Sequence, residues 1–184
     1  MLSSPIINWA LRAFQFLFGI VILGLSVTLI RGHHWGDFPS SLGFSVFVAG
    51  VTILASIIGF CATWVSFLEG IVGLAIDVLI ALINIAGGIV LAIKLKGVKC
   101  SDTDDLSNAF KLAENDLFNG GWMKIKGKMY AWVASQYGDN GNKIRDVILG
   151  HCRESQAAMV FMFLAAALLI VSGLLAFLRK RKGY

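Results

Sequence analysis

Apolar residues gather along this chain into four long runs, at about 6–30, 42–67, 70–93 and 155–178, separated by shorter polar stretches. Each run exceeds the roughly 20 residues that carry a helix across the hydrocarbon core of a bilayer. The pattern therefore predicts an all-α membrane protein: a bundle of four transmembrane helices. Between the first two runs, Arg31-Gly-His-His-Trp-Gly-Asp-Phe-Pro-Ser-Ser41 reads as a short loop closed by Pro39, with a serine pair able to cap the next helix. Between the second and third, Ser66 to Glu69 leaves room only for a tight helical hairpin, with Glu69 near a helix N-terminus where a negative charge suits the helix dipole.

The loop at 94–154 differs in kind. Leu106, Phe110, Ala113 and Leu117 fall at helical spacing, and Trp122, Met129, Trp132 and Val133 follow. The expectation is a folded, partly helical extracellular loop between the third and fourth spans, holding one or two short amphipathic helices broken at Asn119-Gly-Gly121. Gly138-Asp-Asn-Gly141 reads as a turn, and 142–149 as one more helical stretch ending at Gly150.

Composition agrees with the pattern, since 57% of the 184 residues are hydrophobic and 15% charged. A soluble domain is about 45–50% apolar, so a large soluble enzyme is excluded. The net charge of +5 is spread among spans and forms no basic face that would track nucleic acid, which makes lipid the acidic partner to expect. Arg179, Lys180, Arg181 and Lys182 pack directly after the last span and predict contact with anionic lipid and cytoplasmic termini. The ten Lys and Arg of the 94–154 loop argue the other way, although that loop is at the limit of about 60 residues beyond which such charges cease to orient a chain. The first run is too long for a signal peptide and lacks a small-residue cleavage site, so it is expected to remain as an anchor.

Several polar residues stand where the pattern gives them a task. Cys100 and Cys152 flank the long loop at one membrane surface, where a disulfide would close it on the oxidising side; the alternative is two free thiols in a cytosolic loop. Cys61 is either an acylation site or a buried thiol. Arg12 and Asp77 fall roughly 9 and 10 Å inside the hydrocarbon from one face, counting about 1.5 Å per helical residue. They are expected to pair, directly or through Gln15 one turn along from Arg12, although Arg12 has reach enough to snorkel to the headgroups. Such a pair would aim Asn84 and Gly88 at the bundle interior and leave Ile80, Ile83 and Leu91 toward neighbouring helices or lipid. On the third helix Gly73, Asp77, Ala81, Asn84 and Gly88 make a small, polar stripe, fit either for helix packing or for an ion path. His33, His34 and Asp37 lack a third convincing ligand and are expected to be solvated, so neither a metal nor another cofactor is predicted. No H-E-x-x-H, G-x-S-x-G, P-loop or dinucleotide fingerprint occurs, and the chain is not expected to be an enzyme.

Four segments carry a resemblance: Ala10-Leu-Arg-Ala-Phe-Gln-Phe-Leu-Phe18 in the first span, Ile76-Asp-Val-Leu79 with Ala86-Gly-Gly-Ile-Val-Leu-Ala92 in the third, and Cys152-Arg-Glu-Ser-Gln-Ala-Ala158 at the fourth. The chain resembles, across all four spans, the fungal MARVEL-domain proteins of the non-classical export protein 2 type, tetraspan proteins of eisosomes and related plasma-membrane microdomains. Residues 1–184 then form one MARVEL-like domain, with Arg12, Asp77, Cys100 and Cys152 as its family-like positions. The loop between the cysteines is longer than the resemblance leads one to expect. The implied role is non-enzymatic organisation of plasma-membrane domains, with sphingolipid, sterol and anionic lipid, other membrane proteins or further copies of the chain as partners. The competing expectation is an accessory subunit or small channel in which Asp77 and Asn84 line an ion path.

Overall fold

The computed structural model describes residues 5–61, 71–101, 106–138 and 140–181. Four of its helices are long and apolar enough to cross a membrane. They are α1 (Pro5–Arg31), α2 (Ser40–Cys61), α3 (Ile71–Lys94) and the last helix, α6 (Gly141–Arg181). Between α3 and α6 lie α4 (Leu106–Glu114), a two-stranded antiparallel sheet of β1 (Trp122–Ile125) and β2 (Lys128–Ala131), and α5 (Trp132–Tyr137). The expected hairpin at Ser66 to Glu69 and the end of the second apolar run lie outside the described residues.

The spanning helices form a ring, α1 packing on α2 and α6, and α3 packing on α2 and α6. Their inner faces hold small and polar residues, among them Ser45, Ala49, Ala81, Ala158 and Ala165, while Leu17, Phe47, Leu54, Leu82 and Leu174 point outward. Lipid tails are as apolar as leucine, so close approach and hydrogen bonding, rather than burial of apolar bulk, hold such helices together. Gly87 and Gly88 show the tightness: a Cβ would come within 2.9 Å of the Met162 sulfur and 2.8 Å of the Phe163 ring, respectively. The serine cap expected for α2 is not made by Ser41, whose Oγ is buried without a partner among the described residues; the Pro39 carbonyl instead accepts from the Leu42 amide at 2.9 Å.

The outer segment departs from expectation in three places. The first is Gly150: α6 runs unbroken for 41 residues, so the stretch at 142–149 and the fourth span are one helix. A Cβ at Gly150 would meet nothing within 4 Å, and the helix simply passes through it. The second is the sheet, which stands where a further amphipathic helix was expected. Lys126 and Gly127 take φ of +48° and +82°, the paired left-handed residues that a two-residue hairpin turn uses, and set Ile125 opposite Lys128. The third is the face of α4. Leu106 and Phe110 are 75% and 68% exposed, while Asn108 and Leu112 are buried. Asn108 decides this rotation, because its amide oxygen accepts from the Lys99 amide at 2.8 Å and its nitrogen donates to the Lys99 carbonyl at 2.9 Å.

Despite these differences the loop is folded. Phe118, fully buried, sits with Leu112, Leu117, Val133 and Ile148 over the outer end of the bundle, where Leu29 and Leu42 complete one continuous core. The loop after α1 is stitched to it: the Gly120 carbonyl accepts from the His34 and Trp35 amides at 2.8 and 3.1 Å, and the His34 ring stacks on Trp132 at 4.0 Å. Gly121 allows this contact, since it holds φ of +100° and any Cβ there would overlap the Trp35 carbonyl. Gly121→Ala is therefore expected to cost about 1–3 kcal/mol from the backbone conformation alone. Faster hydrogen exchange at the His34 and Trp35 amides should report the lost seam, and unchanged protection there would show that the seam adapts.

Candidate functional site

Three helices converge on one buried polar centre. Arg12 stands seven residues into α1 and Asp77 six into α3, about 10 Å from those helix ends at 1.5 Å per residue. The Arg12 guanidinium lies as a fork on the Asp77 carboxylate, Nη1 to Oδ1 at 2.6 Å and Nη2 to Oδ2 at 2.7 Å. Nη1 also donates to Gln15 Oε1 at 3.1 Å. Arg12 is 8% and Asp77 3% exposed. An isolated charge at this depth is costly, and two-point pairing is the arrangement that offsets most of that cost. Arg12 Nε and Gln15 Nε2 remain buried without partners among the described residues.

The third wall is α2, and Gly59 lets it close. A Cβ at Gly59 would overlap the guanidinium, which Asp77 and Gln15 already pin. Gly59→Ala is thus expected to cost about 1–3 kcal/mol, as overpacking of a filled site does. Thermal unfolding in detergent would measure it, and the Gly50→Ala variant, at a position where a Cβ meets nothing within 4 Å, is the matched control.

One layer away, Asn84 Nδ2 donates to Thr52 Oγ1 at 2.7 Å and to the Ile80 carbonyl at 3.0 Å, tying α3 to α2. The Thr52 and Ser56 hydroxyls donate in turn to the carbonyls four residues before them. Asn84 Oδ1 is buried without a partner among the described residues. Asp77, Ala81, Asn84 and Gly88 face inward and Gly73 is half-buried; Ile80 and Leu91 are buried against neighbouring helices. Thr52 and Gly59 were not singled out from the sequence, although Ser45, Thr52, Ser56 and Gly59 recur on α2 at the same small, polar helical spacing as the stripe on α3.

At the opposite end, Cys100 and Cys152 form a disulfide with their Cα atoms 5.5 Å apart, closing a loop of 52 residues' separation. Cys61 is exposed at the end of α2 rather than buried. Lys94 and Asp116 pair at 3.3 Å with both side chains 40% exposed, a contact of small energetic weight. His33 and His34 are built into the seam under α1, His33 Nε2 buried without a partner, and no group of three potential metal ligands occurs among the described residues. Arg179, Lys180 and Arg181 fall in the last turn of α6, and Lys182 lies outside the described residues.

No curated protein and no solved structure matches the chain. The MARVEL family model, described as a membrane-associating domain, matches residues 5–175, a stretch that takes in the four spanning helices, the ion pair and both bridged cysteines. The chain is therefore a multi-pass, membrane-associated protein and belongs to the MARVEL family of membrane-associating domains.

Proposed function

We propose that this protein is a non-enzymatic organiser of plasma-membrane microdomains, of the fungal non-classical export protein 2 kind, with both termini cytoplasmic. It acts through contacts of the four-helix bundle with sphingolipid, sterol and anionic lipid, and with other membrane proteins or further copies of itself. Arg179, Lys180, Arg181 and Lys182 serve as the cytoplasmic contact for anionic headgroups. The observation that carries this reading is the packing: the polar side chains are spent on one another inside, among small residues and the buried Ile22, Leu91, Met162 and Leu169, while many large apolar residues, Leu17, Phe47, Leu54, Leu82 and Leu174 among them, face outward. A bundle locked this way presents one fixed lipid-facing surface, and fixed length and shape are what sort proteins among membranes of different thickness. Against an ion path lined by Asp77 and Asn84 stands the engagement of both Asp77 oxygens by Arg12 and of the Asn84 nitrogen by Thr52.

The test is partition of labelled protein in giant vesicles of sphingolipid, sterol and unsaturated phosphatidylcholine. Enrichment in, or at the rim of, the ordered phase is expected. Even distribution over both phases, or liposome ion flux abolished by Asp77→Asn, would reject the reading and favour a channel.

A further inference from the structure

The disulfide has two cationic neighbours, Lys99 before Cys100 and Arg153 after Cys152. Linking the cysteines draws both cations to the rim of one cavity of about 650 Å³ between the end of α3 and α6. Like charges repel at such a site, so the covalent tie holds them where electrostatics alone would part them. No described carboxylate lines this cavity. Of the described acids near it, Glu154 accepts from the Thr28 hydroxyl on the α1 side and Asp116 is engaged by Lys94; Asp102, Asp104 and Asp105, which follow Ser101 in the sequence, lie outside the described residues. Arg153 is steadied by its Nε, which donates to the Cys100 carbonyl at 3.3 Å and leaves the two terminal nitrogens for a ligand.

The rest of the lining states what kind of anion fits. Gln156 adds an amide at the rim, whereas Ala92, Leu95 and Met159 form an apolar floor. Ala92 and Met159 belong to the spanning helices, and Lys99 lies just past the last residue of α3, Lys94. The cavity is thus cationic toward the loop and apolar toward the spanning helices. We infer that it binds an anionic, phosphate-bearing lipid of the disulfide-side leaflet, the phosphate between Lys99 and Arg153 and one acyl chain descending past Ala92 and Met159. This site is separate from the basic cluster at the end of α6, and it deepens the proposed role in lipid organisation, on which it rests. Arginine supplies planar two-point recognition of phosphate and lysine a point charge.

Full-chain protein reconstituted in vesicles of phosphatidylcholine with equimolar phosphatidylglycerol is extracted and its retained lipid counted by native mass spectrometry. The parent should retain phosphatidylglycerol over phosphatidylcholine. At the usual attraction of acidic headgroups for each surface cation, Lys99→Gln/Arg153→Gln should lower that retention about thirtyfold. Lys99→Arg/Arg153→Lys should keep it, as should Lys124→Gln/Lys126→Gln, which removes the same charge from the hairpin; every comparison is made in a Lys180→Gln/Arg181→Gln background, so that the basic cluster at the other end of the bundle contributes little to the count. Unchanged retention in Lys99→Gln/Arg153→Gln, or equal losses in the hairpin variant, would overturn the site. Equally tight binding of soluble glycerophosphoglycerol would assign the cavity to free phosphate esters instead of lipid. A parent that shows no preference for phosphatidylglycerol yet still partitions into ordered domains removes this site alone, whereas retained lipid with even partition removes the organiser reading alone.

Discussion

Asp77→Ala is expected to destabilise the bundle by about 3–5 kcal/mol, the range seen when one partner of a buried ion pair is removed and the other is left behind. Arg12 is 8% exposed and held over Gly59, so among the described residues its guanidinium would keep only Gln15 as a partner. Asp77→Asn should cost less, because an amide oxygen still accepts from the guanidinium. Replacing both residues, Arg12→Met with Asp77→Leu, should recover most of the loss, since well-packed apolar groups often replace a buried pair without penalty. Reversible unfolding in mixed micelles of increasing dodecyl sulfate content measures all three. Equal midpoints for Asp77→Ala and the parent would show that the pair does not stabilise the fold.

Removing the disulfide as Cys100→Ser/Cys152→Ser should cost up to about 4 kcal/mol in the chain-entropy account of a loop closed over 52 residues. That figure is an upper bound, because Phe118, Leu112 and Val133 bury one another and order the loop without the crosslink. Hydrogen exchange should locate the loss at the junction of the loop with α3 and α6, leaving the Arg12 layer protected. Thiol alkylation of folded parent protein supplies the companion check: Cys61 should react while Cys100 and Cys152 are spared until reduction.

Four spans, their order, the bridged cysteines and the approach of Arg12 to Asp77 are all legible in the residues, for one reason. A membrane leaves few places for a charge and obliges every long apolar run to be a helix, so a residue count along each run already gives depth. The outer loop has no such ruler. Leu106 and Phe110 share a helical face with Ala113 and suggest that this face is buried, but two hydrogen bonds from Asn108 to the Lys99 backbone turn α4 the other way. Lys126-Gly127 is a weaker hairpin signal than Asn-Gly or Asp-Gly, and it falls between residues that also suit a helix. Gly150 reads as a stop, but it precedes His151 and Cys152, and these two are fixed in the helix by the Phe118 carbonyl and by Cys100. The depth of Gly59 was likewise countable, but a glycine in a span does not announce what its missing side chain makes room for.

The 41 residues of α6 make a rod of about 60 Å, at 1.5 Å per residue, with no joint between the outer loop and the far side of the bundle. Ile148 and Leu149 pack in the loop core at one end of that rod. Leu169, between five and six turns further on, packs on Ile80 and Ala81, the turn of α3 that follows Asp77. A sideways load on the outer loop therefore has no hinge in which to dissipate. It arrives as a tilt of α6, and the opposite arm of the lever presses on the helix that carries the ion pair.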